Sequence, residues 1–359
     1  MKNFNGFFLD EENAKINSLA QLTLYSSLKS YFKTADDVSS FFHRYINIDD
    51  TERNGNLKSA PEYVIDACDS IIHFQHFLEL YVKDILKSIH PLLVYDLPKS
   101  NKKHMILYDL IKGNKVKNAI LENVYFIEFS CAYERLKELI KALKIEKYTF
   151  LLKHFDMMKE VNNLRNRTQH RGLFVLEYFE LDRLFGEHIF PFLIAMQEYD
   201  DNYKDVLEFG IRLNYKNQLY NEISTLSKIK NEDENKLKKF FVYKMMMYAA
   251  FNNKIPNNEP IDLSLGIFDS RKLSNSFYEE MRKKEFEKAN ASFPDKNIKK
   301  CPVCGCDTLI EEEDSDITED AHGNITDVKT FTCAVHCNQC GFHLEGIDLI
   351  KDLNRMSIK

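Results

Sequence analysis

The sequence FDMMKEVNNLRNRTQHRG at residues 155–172 has the spacing of a helix that packs on one face and carries polar groups on another. Its apolar side chains recur every three residues, at Phe155, Met158, Val161 and Leu164. A polar stripe recurs every four residues and consists of Asn162, Asn166 and His170. Because side chains three or four positions apart lie on one face of a helix, these stripes predict a helix over about residues 149–171. Gly172 favours an end to the helix, since glycine commonly follows a helix C-terminus.

Three further segments place apolar side chains at helical spacing. The four predicted helices cover residues 59–90, 117–144, 149–171 and a segment from about 177 to Pro191. Ser59 and Glu62 have the spacing of a capping box, with Pro61 in the first helical turn. The chain has only 11 glycines and 8 prolines in 359 residues, which favours long helices over a loop-rich β fold. Four such segments with short connections predict a helical bundle.

The C-terminal part contains two C-x-x-C pairs, each followed by glycine. The candidate ligands are Cys301, Cys304, Cys337 and Cys340. Four thiolates on two tight turns suit a structural Zn2+ ion, and extended segments at 308–312 and 328–332 predict a β-hairpin between the turns. We therefore expect a zinc ribbon. Two disulfides are the alternative, as in a secreted protein. Further donors near this site are Cys306, Cys333, His336 and His343.

The predicted fold class is mainly α, a four-helix bundle with extra helices and a small C-terminal β zinc ribbon. The predicted divisions are an N-terminal helical extension at 1–58, the bundle at 59–202, a helical segment and linker at 203–295, and the ribbon at 296–359. The first eight residues lack the apolar core of a signal peptide, and no run approaches the roughly 18 apolar residues of a membrane span. We expect a cytoplasmic protein without a membrane partner.

Charge is unevenly distributed along the chain. Residues 301–350 carry 11 acidic side chains and one basic residue, Lys329, so that residues 1–300 carry +2 of the net −6. Basic residues lie on the segments around the polar stripe of residues 162–170, as expected of a surface that binds a nucleic-acid backbone. They are Lys137, Lys141, Lys144, Lys147, Lys153, Lys159, Arg165, Arg167 and Arg171. The acidic ribbon should repel nucleic acid, so we expect it to bind a protein or to cover the basic surface as an autoinhibitory lid.

Arg165, Asn166 and His170 are the candidate catalytic residues. A histidine can transfer protons and an arginine can neutralise a phosphate, so this set can cleave RNA without a metal. Positions five apart on a helix lie about 140° apart around its axis, so Arg165 and His170 do not share a face. Pairing this helix with its counterpart in a second chain would bring both residue types into one cleft. The sequence therefore predicts a homodimer.

The run from Leu164 to Gly172 resembles the signature of the HEPN superfamily (higher eukaryotes and prokaryotes nucleotide-binding), in which an arginine and a polar residue precede a histidine. Residues 77–86 resemble the first long helix of that fold, and the resemblance covers roughly residues 60–200. It implies a dimeric four-helix bundle that is often a metal-independent endoribonuclease of toxin-antitoxin or anti-phage systems. It also implies that His170 is the acid/base, that Arg165 holds the scissile phosphate and that Asn166 orients one of them.

The expected function is endoribonuclease activity on tRNA or mRNA. Attack of the ribose 2′-hydroxyl on the neighbouring phosphorus would leave a 2′,3′-cyclic phosphate. An antitoxin or another regulatory protein is an expected partner. The alternative is a HEPN-like module without catalysis that binds RNA or protein and docks through its zinc ribbon. A third interpretation is a zinc-ribbon adaptor whose helices are purely structural.

Overall fold

The computed structural model describes residues 19–96, 112, 126–171, 174–200, 203, 234–252, 275–292, 298–320, 322 and 324–355, without the side chains of 50, 51, 170, 171, 275–278 and 355. The helices are α1 (Leu19–Val38), α2 (Phe42–Tyr45), α3 (Asp50–Lys58), α4 (Pro61–Ile89), α5 (Phe129–Leu143), α6 (Phe155–Arg171), α7 (Tyr178–Leu184), α8 (Phe190–Tyr199), α9 (Glu234–Asn252), α10 (Asn275–Ser292) and α11 (Ile347–Arg355). The strands are β1 (Ile298–Lys300), β2 (Asp307–Glu319), β3 (Ile325–Cys337) and β4 (His343–Glu345). The protein is mainly helical with a small C-terminal sheet.

Helix α4 forms the centre of the helical part. Its 29 residues pack against α1, α5 and α6, and α9 packs against α1. Aromatic side chains fill the space between these helices, and each fully buried one contributes about 1.5–3 kcal/mol relative to exposure. They include Tyr31, Phe32, Phe74, Phe77, Phe185 and Phe190. None of the helices in the described ranges combines the length and apolar character needed to span a bilayer.

The bounds of α4 agree with the sequence, but its start does not use the predicted cap. The helix begins at Pro61 and ends at Ile89, directly before the predicted stop. The predicted capping box is wrong: the Ser59 hydroxyl donates to the carbonyl oxygen of Asn56 at 2.8 Å, and Ala60 takes the N-cap position without a side-chain hydrogen bond. Pro61 lessens the need for a cap, because it lacks one of the N–H groups that a cap would satisfy.

The second predicted helix begins later than its side-chain pattern indicates. Helix α5 starts at Phe129, whereas the predicted start near residue 117 lies outside the described residues. Phe126 pairs with Tyr95 in an isolated antiparallel β-bridge, and their ring centroids lie 5.1 Å apart. This pairing keeps the backbone at Phe126 out of the helix, although the side chain has helical spacing.

The fourth predicted helix continues past Pro191. Helix α7 passes through a π-helical turn, Phe185–Ile189, into α8, which contains Pro191 in its first turn. Proline has no N–H, and its ring clashes with the carbonyl group four residues earlier in a regular helix. A π turn changes the hydrogen-bond register at this point, so the chain remains helical as far as Tyr199.

The C-terminal sheet is an antiparallel meander in the order β1-β2-β3-β4. Strands β2 and β3 have 13 residues each and pair along their length, so the predicted hairpin is confirmed and is longer than predicted. Residues 312–319 and 325–330 are exposed on both faces of the sheet. At the end of the hairpin, Asp320 Oδ1 accepts the backbone N–H groups of His322 at 2.8 Å and Asn324 at 2.9 Å. An exposed acidic arm therefore projects from the ribbon.

The ribbon packs on the side of the helical part formed by α1 and α9. Helix α11 contacts both the sheet and α9, and His343 Nε2 lies 3.3 Å from Asp36 Oδ1 on α1. Gly346 has a φ of +103°, and a Cβ at this position would lie 2.2 Å from Nε2 of His43, so this contact requires glycine. Helix α6 packs against α4 and α5. The lid over the site stays a prediction.

A buried acidic pair makes the stability of the helical part depend on pH. Lys33 bridges Asp37 on α1, at 3.2 Å, and Asp66 on α4. Burial, followed by repulsion from Asp66, raises the pKa of Asp37 from 3.8 to about 7. The folded protein thus binds this proton more tightly than the unfolded chain does. The stabilisation that comes from binding this proton is complete below about pH 4 and is lost as the pH rises through about 7.

We expect Asp37→Asn to remove this dependence, because an amide does not titrate. Relative to the variant, the wild type should lose stability as the pH rises from about 4 to about 7. In Asp66→Asn the loss of stability should end at a lower pH, since this variant lacks the repulsion that helps to raise the pKa of Asp37. Urea unfolding followed by circular dichroism at a series of pH values measures both effects. A constant difference between wild type and Asp37→Asn over this range would contradict the assignment.

Candidate functional site

Helix α6 is continuous from Phe155 to Arg171 and contains the three candidate catalytic positions. It begins later than the predicted start near residue 149, because residues 149–153 belong to a separate 3-10 helix, Glu146–Lys153. Arg165 and His170 are five residues apart, which corresponds to about 140° around the axis of a regular helix. The two positions therefore lie on different faces of α6. The side chain of His170 and the predicted stop at Gly172 lie outside the described residues.

Arg165 and Asn166 interact directly with each other. The Arg165 Nη1 atom donates a hydrogen bond to Asn166 Oδ1 at 2.9 Å. Both side chains are half-buried, so the bond fixes the direction of the guanidinium group while leaving part of it accessible. The adjacent pair that the sequence singled out thus forms one structural unit on α6.

This pair lines an open cleft of about 810 Å³ between α4, α6 and the start of α5. The volume lies within the range of ligand-binding pockets in proteins. Two arginines, three glutamates and four side-chain amides line the cleft, so its charge is nearly balanced. The lining residues are Gln75, Glu79, Glu128, Phe129, Ser130, Glu160, Asn162, Asn163, Arg165, Asn166 and Arg167.

Helix α4 contributes polar groups that the sequence did not single out. The Glu79 carboxylate accepts hydrogen bonds from Lys83 Nζ at 2.6 Å and from Gln75 Nε2 at 3.3 Å. Burial lowers the pKa of His76 on the same helix, and the nearby positive charge of Arg165 acts in the same direction. Gln75 lies 90 positions before Arg165, so no local pattern could place the two residues in one cleft.

Of the predicted basic residues, Arg165 and Arg167 line the cleft, and the lysines differ in their availability to a ligand. Lys147 Nζ lies 3.3 Å from Asp200 Oδ1, so this lysine is paired with a carboxylate. The ammonium group of Lys137 lies 5.7 Å from the ring centroid of Phe155, within cation–π range. Four other predicted lysines are exposed: Lys141, Lys144, Lys153 and Lys159. Lys137 and Lys147 are therefore less available to a ligand than these four lysines, and the basic surface stays a prediction.

The second candidate site consists of four buried cysteines, the predicted set Cys301, Cys304, Cys337 and Cys340. The Sγ atoms of Cys301 and Cys340 lie 3.7 Å apart, those of Cys304 and Cys337 lie 3.6 Å apart, and all four lie within 4.8 Å of one another. Metal–sulfur bonds of about 2.3 Å in a tetrahedron place the sulfurs about 3.8 Å apart, so the observed spacings suit a tetrahedral ion. They do not suit disulfides, in which the sulfurs lie about 2.05 Å apart.

Both cysteine pairs lie on the same type of turn. The N–H groups of Gly305 and Gly341 donate to the carbonyl oxygens of Cys301 and Cys337, each at 2.9 Å. The two glycines have φ values of +69° and +74°, which lie in the left-handed region that favours glycine. The C-x-x-C-G sequence therefore specifies each turn locally, whereas the packing of the sheet brings the two turns together.

The neighbouring donors make other contacts. Cys306 is buried, and its Sγ lies 3.8 Å from the carbonyl oxygen of Cys304. The Sγ of Cys333 lies 3.4 Å from the carbonyl oxygen of Glu312, and Nδ1 of His336 lies 3.3 Å from the carboxylate of the same glutamate. The arrangement is compatible with a structural metal site formed by the four predicted cysteines.

Comparison with protein-family models, curated proteins and solved structures gave no match to this chain. The geometry of the two sites is therefore the basis for assigning a function.

Proposed function

We propose that this protein is a metal-independent endoribonuclease that cleaves RNA at the cleft between α4, α5 and α6. The observation that carries this proposal is the hydrogen-bonded pair Arg165 and Asn166, which lines an open polar cleft one helical turn before His170. The pair supplies a cation for a phosphate, and His170 supplies an imidazole for proton transfer. The resemblance of residues 164–172 to the HEPN signature supports the same function, and with it a role as a toxin or anti-phage effector that acts on tRNA or mRNA.

The proposed reaction is an internal transesterification of RNA. His170 accepts the proton of the ribose 2′-hydroxyl as its oxygen attacks the neighbouring phosphorus. Arg165, held by Asn166, neutralises the charge that develops on the five-coordinate phosphorus. The bond to the 5′-oxygen then breaks, that oxygen takes up a proton from water, and His170 returns its proton to solvent. The products are a 2′,3′-cyclic phosphate and a 5′-hydroxyl, and DNA should resist cleavage because it lacks the 2′-hydroxyl.

A homodimer is the assembly that suits this mechanism. The positions of Arg165 and His170 are about 140° apart on α6, so one helix does not direct both side chains to one phosphate without bending of the long side chains. Two copies of α6 related by a two-fold axis would supply an arginine and a histidine from opposite chains. An antitoxin or another regulatory protein remains a proposed partner.

For the cysteine cluster we propose Zn2+ as the ion, with a structural role. Four thiolates at tetrahedral spacing are the common ligand set of structural zinc, and they leave no coordination position for a substrate. The ion would hold the two turns together at the base of the β2–β3 hairpin, on the side of the protein where α11 packs against α9. It takes no part in the proposed cleavage.

A second candidate function is an RNA- or protein-binding module without catalysis. The observation that favours it is the presence of Glu79, Glu128 and Glu160 in the same cleft as Arg165. Carboxylates in the cleft compete with a phosphate for the guanidinium group and reduce its ability to stabilise added negative charge.

Cleavage of RNA by the purified protein separates these functions. We expect the wild type to cleave labelled tRNA or mRNA in the presence of a chelator too weak to remove zinc from the cysteines. His170→Ala and Arg165→Ala should each lower the rate by at least about 100-fold, because each removes a group that acts in the transition state. The measurement is gel analysis of the products together with identification of the cyclic phosphate ends.

His188→Ala is a matched control, since His188 is an exposed histidine outside the cleft with 54% of its side chain accessible. It should cleave at the wild-type rate. Cleavage that persists in both His170→Ala and Arg165→Ala would contradict the proposed active site. Binding of RNA by a folded wild-type dimer without cleavage would favour the second candidate function.

A further inference from the structure

The composition of the cleft suits the recognition of a base more than that of an extended phosphate backbone. Arg165 and Arg167 face three carboxylates, so the cleft does not have the positive charge that attracts a polyanion along its length. Its side-chain amides, which include Gln75 and Asn162, offer paired donors and acceptors of the kind that bind the edges of nucleobases. Gln75 is buried at the cleft wall, so its direction is fixed by packing.

A stacked pair of side chains lies at the edge of the same cleft. The guanidinium carbon of Arg167 lies 3.4 Å from the ring centroid of Phe174, a distance of direct stacking. Phe174 is half-buried and packs against the core, and the Thr168 hydroxyl donates to its carbonyl oxygen at 3.3 Å. Arg167 itself is exposed and lines the cleft. The ring thus lies directly against the guanidinium group of an exposed side chain that lines the cleft.

We propose that Arg167, held on Phe174, is a stacking platform for one unpaired nucleobase of single-stranded RNA, and that Gln75 and Asn162 contact the edge of that base. The inference rests on the proposed function for its choice of RNA as ligand. Single-stranded RNA is recognised by stacking of splayed bases on aromatic rings and arginine planes, together with hydrogen bonds to base edges. Arg165 lines the same cleft, so the RNA strand that continues from this base would pass Arg165. Arg167 is therefore a positioning residue for the substrate, separate from the three candidate catalytic residues.

The test measures binding without cleavage. The probe is a short single-stranded 2′-O-methyl RNA, which lacks the nucleophile, with 2-aminopurine as its central base. Stacking of 2-aminopurine lowers its fluorescence, and anisotropy of an end label gives the Kd. We expect Arg167→Lys, which keeps the charge but loses the planar group, to weaken binding about tenfold and to abolish the fluorescence decrease. Phe174→Leu, which keeps an apolar side chain but removes the ring, should have the same effect.

Arg183→Lys provides a matched control, because Arg183 is an exposed arginine outside the cleft that pairs with Glu180 at 2.5 Å. It should leave the Kd and the fluorescence decrease unchanged. Loss of affinity in Arg167→Ala but not in Arg167→Lys would show that only the charge matters and would overturn the stacking platform.

The outcomes also distinguish this inference from the proposed function. The probe binds whether or not the protein cleaves RNA, so a wild type without activity leaves the binding result interpretable. Cleavage of natural RNA combined with unchanged probe binding by Arg167→Lys would overturn the platform alone. Absence of binding to any single-stranded probe would overturn the platform together with the choice of RNA as ligand.

Discussion

Replacing Cys304 with serine is expected to abolish binding of the proposed Zn2+ ion and to unfold the C-terminal sheet. The sheet has a small core of its own, and residues 312–319 and 325–330 of its hairpin are exposed on both faces. A domain of this size rarely buries enough apolar surface to be stable without a metal or disulfides. Zinc binding contributes about 10–16 kcal/mol in zinc-finger peptides, so losing one of four ligands should exceed the stability that the sheet has by itself.

The measurement combines metal content with protease protection. We expect about one zinc ion per chain in the wild type and much less in Cys304→Ser, together with rapid proteolysis within residues 298–355. Cys306→Ser is the sharpest control, since Cys306 is a buried cysteine two positions away whose Sγ lies 3.8 Å from a backbone carbonyl oxygen. The Cys306→Ser variant should retain the zinc ion and the protection of the sheet from protease. Equal loss of metal in both variants, or a protected sheet after complete chelation, would refute the assignment.

Replacing Lys244 with methionine is expected to destabilise the helical part by about 3–5 kcal/mol. Lys244 is fully buried on α9, and its Nζ donates to Asp182 Oδ1 at 2.7 Å and to Thr34 Oγ1 at 2.9 Å. The rings of Tyr178 and Tyr31 lie 4.0 Å and 4.5 Å from the same nitrogen. Methionine fills a similar volume, but it leaves the carboxylate of Asp182 buried without its cation.

The double variant Lys244→Met/Asp182→Asn should recover most of the lost stability, because it removes both charges together. Urea unfolding of the wild type, both single variants and the double variant gives the coupling energy by a double-mutant cycle. Lys236→Met is a control on the exposed face of the same helix and should change the stability by no more than about 0.5 kcal/mol. Single effects that simply add in the double variant would show that the pair is not coupled.

The features that the sequence predicted correctly are those that a few neighbouring residues specify. The glycines after each cysteine pair adopt positive φ values and close the turns, so the four ligands could be named from spacing alone. Helix α4 begins at Pro61 and ends before Pro91. These limits are also local, because proline restricts the backbone wherever it occurs. The continuity of α6 likewise follows from its own stripe of apolar residues.

Where the prediction failed, another contact competed with the pattern that the sequence showed. Ser59 has the spacing of a helix cap, but it bonds to Asn56 at the end of α3. Phe126 has helical spacing, but it pairs with Tyr95 from the segment after α4. A local hydrogen bond in the first case and a tertiary pairing in the second gave the same group a different partner.

The sequence by itself determined the turns that present the cysteines and the helical course of residues 155–171, because these depend on backbone preferences and apolar spacing over a few residues. Only the tertiary structure decided that Gln75 and Glu79 face Arg165 across a cleft, that Lys147 is paired with Asp200, and that the ribbon packs on α1 and α9. These arrangements depend on which helices share an apolar interface. The pairing of helices depends on how side chains from segments far apart in the chain pack together. The spacing of residues within one segment therefore does not predict it.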